Sequence, residues 1–246
     1  NVLDALVEGE SIDKGFFVRV NGLDTERGIS DIRRVVESGT APDSFMIPDT
    51  DSAEEIRLVS DVLDSLDVDC GIIPLVESPS GVFDADRIAR ASPRVTGLSF
   101  GTADFRLRMG INTQNRDADL YIPRYTISMA ANAAGIFPMD TPYIYRNDVE
   151  GLREDALRMR AIGYRGKFCA IPEQIEHINE VFTPSEDEIA RAKEVIREFD
   201  EAGTGVMYVG DTFIDRPIAN EQRRLVKRAI EAGVDVDVSD VRLEET

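Results

Sequence analysis

A chain of 246 residues, 42% hydrophobic and 30% charged, can bury one large core, alone or with a small appendage, and is too apolar to be disordered. Its 47 acidic and 28 basic residues leave a formal net charge of −19, which makes nucleic acid and anionic membrane poor partners. No apolar run is long enough to span a membrane, and the acidic opening, residues 1–10, does not read as a signal peptide.

Residues 16–20 read as a strand, 28–37 as a helix, and 44–47 as a strand ended by Pro48. A helix follows over 52–66, with Ile56, Val59, Val62 and Leu63 on one stripe, and then a continuous apolar strand over 71–76. Further along come a short helix at 84–91, a strand at 95–100, a helix at 125–134 and a strand at 135–139. A helix at 148–162, a strand at 167–171 and a helix at 173–182 complete the alternation. Continuous apolar strands separated by helices predict a parallel sheet covered by helices. The six βα steps fit either a doubly wound sheet or most of an eight-fold (β/α)8 barrel of the TIM type. Polar residues just after the strands (Arg19, Asn21, Asp49, Glu77, Asp104 and Asp140) favour the barrel, where strand C-termini converge on one rim.

After Thr183-Pro184 the character changes. Ser185 and Glu188 predict a capping box that opens a charged helix to about Asp200. Residues 206–209 and 212–214 predict a hairpin turning at Gly210-Asp211, and Pro217 opens a helix to Ala232. Gly233 ends it, and the tail to 246 is expected to be loose. The division expected is a barrel domain over 1–183 and a helix–hairpin–helix lid over 184–246. The lid is too small to fold alone and is expected to pack on the barrel or on a neighbour.

Glu77 and Asp104 stand at the ends of successive strands. Like charges 4 Å apart cost about 4 kcal/mol at an effective dielectric of 20, and a divalent cation turns that cost into attraction. Gly81 and Gly101 lie close by in sequence and let a ligand approach the backbone. The alternative is that each carboxylate caps a helix or pairs with an Arg. Arg19 suits a substrate carboxylate, which its planar fork binds bidentately; an ion pair with Asp24 or Asp31 is the other reading. Asp215 and Asp49 read as helix caps, His177 as a surface or partly buried residue, and Cys169 as a core residue. Cys70 and Cys169 match no zinc spacing and suit a reducing cytosol. A single histidine excludes multi-histidine metal sites and makes a Ser-His-Asp triad a poor fit. Only Lys14, Lys167, Lys193 and Lys227 are lysines, and abundant Asp with scarce Lys suits a protein adapted to high salt.

Several segments occur together in one order: Arg19-Val20-Asn21, residues 74–81, Phe100-Gly101-Thr102-Ala103-Asp104, residues 131–140, Gly163-Tyr164-Arg165-Gly166-Lys167, Ile171-Pro172-Glu173-Gln174, Phe182-Thr183-Pro184-Ser185 and Ile214-Asp215-Arg216-Pro217. This ordered set resembles the citrate lyase beta-subunit and malyl-CoA lyase family of CoA-thioester carbon–carbon lyases. The resemblance implies a modified (β/α)8 barrel, trimeric or hexameric, that needs Mg2+ or Mn2+. It implies Glu77 and Asp104 as metal ligands and Arg19, Gly101 and Thr102 at the substrate. It implies Asp215 as a catalytic lid carboxylate reaching into an adjacent subunit.

Those roles suit cleavage of a 3-hydroxyacyl-CoA to acetyl-CoA and a 2-oxo acid. The metal would be Lewis acid and template, Arg19 an electrostatic stabiliser, and Asp215 the proton carrier at the acetyl methyl carbon. Three departures stand out. The family begins with two more strands, the second ending in an acidic motif, and nothing here corresponds, so the barrel is expected to be N-terminally incomplete. The family has Lys where Asp49 stands and His where Ile171 stands. The leading reading is a malyl-CoA or citramalyl-CoA lyase; the others are a malyl-CoA thioesterase, a non-catalytic CoA-ester-binding subunit, and an aldolase acting without CoA.

Overall fold

Six short strands form one parallel sheet: β1 (Phe17–Arg19), β2 (Ser44–Ile47), β3 (Gly71–Val76), β4 (Gly97–Phe100), β5 (Phe137–Asp140) and β6 (Gly166–Lys167). The structure, a computed structural model, describes residues 15–39, 41–111 and 120–244. The strands lie in chain order from β1 to β6. A doubly wound sheet reverses at a switch point; an unbroken order means every crossover steps the same way, as in a barrel. Between β3 and β4 the pairing slips by one residue, from Ile72 against Val95 to Leu75 against Ser99. Pro74 lies between those pairs and has no N–H for the ladder.

The helices of this unit are α1 (Gly28–Glu37), α2 (Ala53–Ser65), α3 (Pro79–Phe83), α4 (Ala85–Ala89), α5 (Thr102–Arg108), α6 (Tyr121–Ala134) and α7 (Val149–Ala161). One face of the sheet supplies Phe45, Ile47, Ile72, Val76, Leu98 and Phe100 to a large core with Ile32, Ile56, Leu63, Ile88 and Ile127 from the helices. The alternate residues Met46, Ile73 and Leu75 form a second, smaller cluster with Phe168, which directly follows β6. A residue at the end of β6 can reach β2 and β3 only if the sheet curls, so this cluster lines the inside of a half-barrel.

Several boundaries differ from expectation for local reasons. Gly135 takes φ 76° and closes α6, so it is a helix C-cap and not the start of a strand. Ser78 caps α3 and Gly101 precedes α5, two short helices the apolar periodicity does not reveal. The strand expected over 167–171 is only Gly166–Lys167.

The chain divides into two compact units between Pro172 and Glu173, ahead of the 183/184 boundary drawn from sequence. The second contains α8 (Ile175–Phe182), α9 (Glu186–Ala202), the antiparallel pair β7 (Val206–Val209) and β8 (Thr212–Asp215), and α10 (Arg216–Glu231). The Ser185 capping box and the Gly210 turn, with φ 57°, form as their sequences predict. Val195, Phe199, Ile214 and Ala219 make one buried cluster of this unit. The tail is not loose over its described residues, which end at 244. Val236, Val238, Val241 and Leu243 pack on Ala192, Ile196 and Val226, and the fully buried Arg223 donates to the Arg242 carbonyl at 3.0 Å. Among the described residues no helix is long and apolar enough to cross a membrane.

Candidate active site

Glu77 follows β3 on the inner face, two residues beyond Leu75 and four beyond Ile73. Its side chain is buried, and its Oε2 accepts the Asp49 N–H at 3.1 Å. It caps no helix, because Ser78 does that, accepting the Gly81 N–H at 3.0 Å. Burial pushes the Glu77 carboxyl above its ordinary value; the Asp49 N–H and Arg19 oppose this, while the charges of Asp49 and Asp104 reinforce it.

Arg19 ends β1, exposed, and its charge reaches Glu77. Asp31 is engaged by Asn21, whose side-chain amide donates to it at 2.5 Å. Asp104 lies exposed in the first turn of α5, where a carboxylate also suits the helix dipole. Gly101 is required by close approach: its N–H donates to the Val76 carbonyl at 2.8 Å, and a Cβ there would collide with the Glu77 carboxylate. Gly81, by contrast, serves packing, since a Cβ would meet the Thr50 carbonyl. The Thr102 hydroxyl lies 3.0 Å from that of Thr141, tying the start of α5 to the end of β5.

Asp49 is no helix cap, because Ser52 begins α2. It takes φ 53° and pairs with Arg108 at 2.7 Å. Burial raises its carboxyl above the ordinary range, Arg108 lowers it, and Asp104, Asp24 and Asp51 push it up again. Arg19, Glu77, Gly101, Thr102 and Asp104 thus gather at one end of the sheet.

Asp140 does not join them. It is fully buried on the helix side of β5, where its Oδ2 lies 2.5 Å from Lys167 Nζ and accepts from Arg124 of α6 at 3.1 Å. Asp155 of α7 completes this cluster, 2.6 Å from Lys167 and 2.9 Å from Arg124. Burial works against ionised Asp155, yet Lys167 and Arg124 hold its carboxyl down at about 2. The available signal was an acid on the apolar stripe of α7, between Leu152 and Met159. A cavity of about 840 Å3 opens beside Thr102 and Ala103, with Arg106, Arg124 and Arg158 offset by Asp148, Glu150 and Glu154.

Asp215 belongs to the second unit. It caps α10, its Oδ1 accepting the Ile218 N–H at 3.1 Å. His177, also in that unit, stands 4.0 Å from Glu180. Cys169 is exposed rather than in the core, while Cys70 is buried and its thiol is pushed up to about 11 by that burial.

The donor set suits a hard divalent cation. Glu77 is a buried carboxylate crowded by like charges, and the missing Cβ of Gly101 makes room for that carboxylate. Among the described residues no three His, Cys, Asp or Glu converge into a protein-only cage. A two-carboxylate site leaves its other positions to water and substrate oxygens, the coordination Mg2+ favours.

A barrel-wound parallel sheet with acids and an arginine at its strand ends is an enzyme architecture. Residues 2–172 match the family described as HpcH/HpaI aldolase/citrate lyase, and the chain belongs to that family. It is 32% identical over 222 residues to the citrate lyase subunit beta of Haemophilus influenzae, covering 86% of this chain and 76% of that one. It is 29% identical to the L-malyl-CoA/beta-methylmalyl-CoA lyase of Rhodobacter capsulatus, covering 95% and 82%. Among solved structures it is similar to protein CitE from Mycobacterium tuberculosis in complex with magnesium, acetoacetate and coenzyme A, with TM-score 0.73 and 27% identity over 87% of this chain and 77% of that one. The chain is accordingly an enzyme of the lyase class to which its citrate lyase relatives belong.

Proposed function

We propose that this chain is a Mg2+-dependent carbon–carbon lyase that cleaves, or forms, a 3-hydroxyacyl-CoA such as malyl-CoA or citramalyl-CoA, giving acetyl-CoA and a 2-oxo acid. The observation that carries the reading is buried Glu77, loaded with the negative charge of Asp49 and Asp104 and faced by Arg19. The magnesium and coenzyme A in the Mycobacterium structure support it. Mn2+ would suit the same ligands.

Glu77 and Asp104 would hold the cation, which supplies a Lewis acid and a template for the hydroxyl and carboxylate oxygens of the substrate. Arg19 would pair with the carboxylate of the acid being released and hold it in line. The Gly101-Thr102 backbone would border the same group. As the bond breaks, the hydroxyl carbon becomes the carbonyl of the 2-oxo acid and the hydroxyl proton passes to solvent water. The electron pair moves onto the acetyl-CoA carbon, where a carboxylic acid at Asp215 would deliver a proton. In this reading the second unit is a lid that serves a neighbouring subunit of a homotrimer or hexamer. The remaining strands of an eight-stranded barrel, a cytosolic setting and adaptation to high salt complete it.

The test uses the purified chain in molar salt with Mg2+, offered malyl-CoA and citramalyl-CoA, with 2-oxo acid and free CoA measured together. The expected result is a 2-oxo acid without free CoA. Free CoA without the acid moves the reading to a thioesterase, and neither product moves it to a CoA-ester-binding subunit or a CoA-independent aldolase.

A further inference from the structure

We infer that the Asp49–Arg108 ion pair is a positioning clamp for the two metal-site carboxylates and sets how tightly this chain holds a divalent cation; this rests on the metal reading proposed above. Three side chains, those of Glu77, Ser78 and Arg108, converge on the turn at residues 49–51. The Asp49 N–H holds Glu77 Oε2 at 3.1 Å, fixing one oxygen of the buried carboxylate. Asp51 accepts the hydroxyl of Ser78, the residue next to Glu77. Arg108 places Nη2 2.7 Å from Asp49 Oδ1 and Nη1 3.6 Å from Asp51 Oδ1.

Arg108 lies four residues beyond Asp104 on α5, so the two share one face of that helix. The helix is only seven residues long. Its N-terminal end is tied through Thr102 to Thr141, and its C-terminal end through Arg108 to the 49–51 turn. One turn of backbone therefore holds Glu77 by an N–H and the helix that carries Asp104 by an ion pair. In this reading Asp49 and Arg108 are positioning residues that act through Glu77 and Asp104.

A clamp and a mere charge effect predict opposite signs at Arg108. Removing a positive charge beside a cation site tightens cation binding if only the field matters. It weakens binding if Arg108 holds Asp104 in place. The experiment titrates Mn2+ into the protein in molar salt and follows free Mn2+ by electron paramagnetic resonance. The proteins compared are the unaltered chain, Glu77→Gln, Arg108→Gln and Arg108→Lys, each checked for native circular dichroism. The clamp predicts loss of binding in Glu77→Gln and about 10-fold weaker binding in Arg108→Gln, the scale for groups that orient metal ligands. Arg108→Lys, which keeps the charge pair, should regain most of the affinity. Binding in Arg108→Gln equal to or tighter than the unaltered chain, with Glu77→Gln still defective, overturns the clamp and leaves the metal site standing. An unaltered chain that binds no Mn2+, or a Glu77→Gln variant that binds like it, overturns the metal reading and the clamp together.

Discussion

Two groups of carboxylates sit on opposite faces of one sheet, and they are balanced differently. On the helix side Asp140 and Asp155 face Arg124 and Lys167, acid for base, with every group buried or nearly so. At the strand ends Glu77 lies among Asp49 and Asp104, and Arg108 is already engaged by Asp49, which leaves Arg19 to face the excess. The balanced cluster neutralises its own charge. In the unbalanced one burial, reinforced by like charge, raises Glu77 and Asp49, and the proposed cation would offset that excess. Charge balance, more than the presence of acids, separates architecture from a candidate site.

The sharpest way to test this contrast is to unbalance the structural cluster. Lys167→Met leaves Asp140 and Asp155 sharing Arg124, with only the exposed Arg158 at 3.7 Å from Asp155 besides, and removing one partner of a buried pair costs about 3–5 kcal/mol. The expected outcome is a loss of that order in urea unfolding in molar salt. A loss below 1 kcal/mol, on the order of a surface pair, would mean that water enters this cluster and the contrast fails.

Much of the fold and part of the candidate site are legible in the sequence. Continuous apolar strands betrayed the parallel sheet, and Glu77 and Arg19 stood out because polar residues follow apolar strands there. Asp140 occupies the same kind of position and was misread. Side chains alternate along a strand, so whether a terminal residue faces the barrel interior or the helices depends on register, and Asp140 faces Arg124 of α6. Choosing between barrel and doubly wound sheet needed the strand order, a long-range fact absent from local pattern. Asp49 looked like a cap because its true partner, Arg108, lies 59 residues away. The tail looked loose because its alternating Val residues find their cover on α9 and α10.

The two clusters should also titrate in opposite senses. Asp155 has a folded value of about 2 against an ordinary 3.8. Its contribution, about 2 kcal/mol, is therefore present above pH 4 and lost as pH falls from about 4 toward 2. Glu77 is raised, so its ionised form burdens the folded state at neutral pH. As pH falls through its folded value toward 4.5, the folded carboxyl takes its proton first and stability rises. Glu77→Gln should remove that rise and stabilise the protein at neutral pH, while leaving the acid loss below pH 4 in place. Unfolding curves across pH 2 to 8 would show this; a variant with an unchanged profile would place Glu77 in a solvated, unburdened setting and erase the contrast.

The smallest effect concerns Asp215, where structure and proposed chemistry ask different things of one carboxylate. As the cap of α10 it needs only an acceptor oxygen for the Ile218 N–H, which Asn supplies about as well as Asp. As a proton carrier it needs an ionisable group, which Asn lacks. Asp215→Ala should cost about 1 kcal/mol of stability, while Asp215→Asn should cost a few tenths. If the carboxylate delivers the proton, both variants lose turnover alike, by about 100-fold or more. If Asp215 only caps, turnover follows stability, and Asp215→Asn keeps it. Measuring melting and 2-oxo acid formation on the same two variants separates a helix cap from a lid acid at a single position.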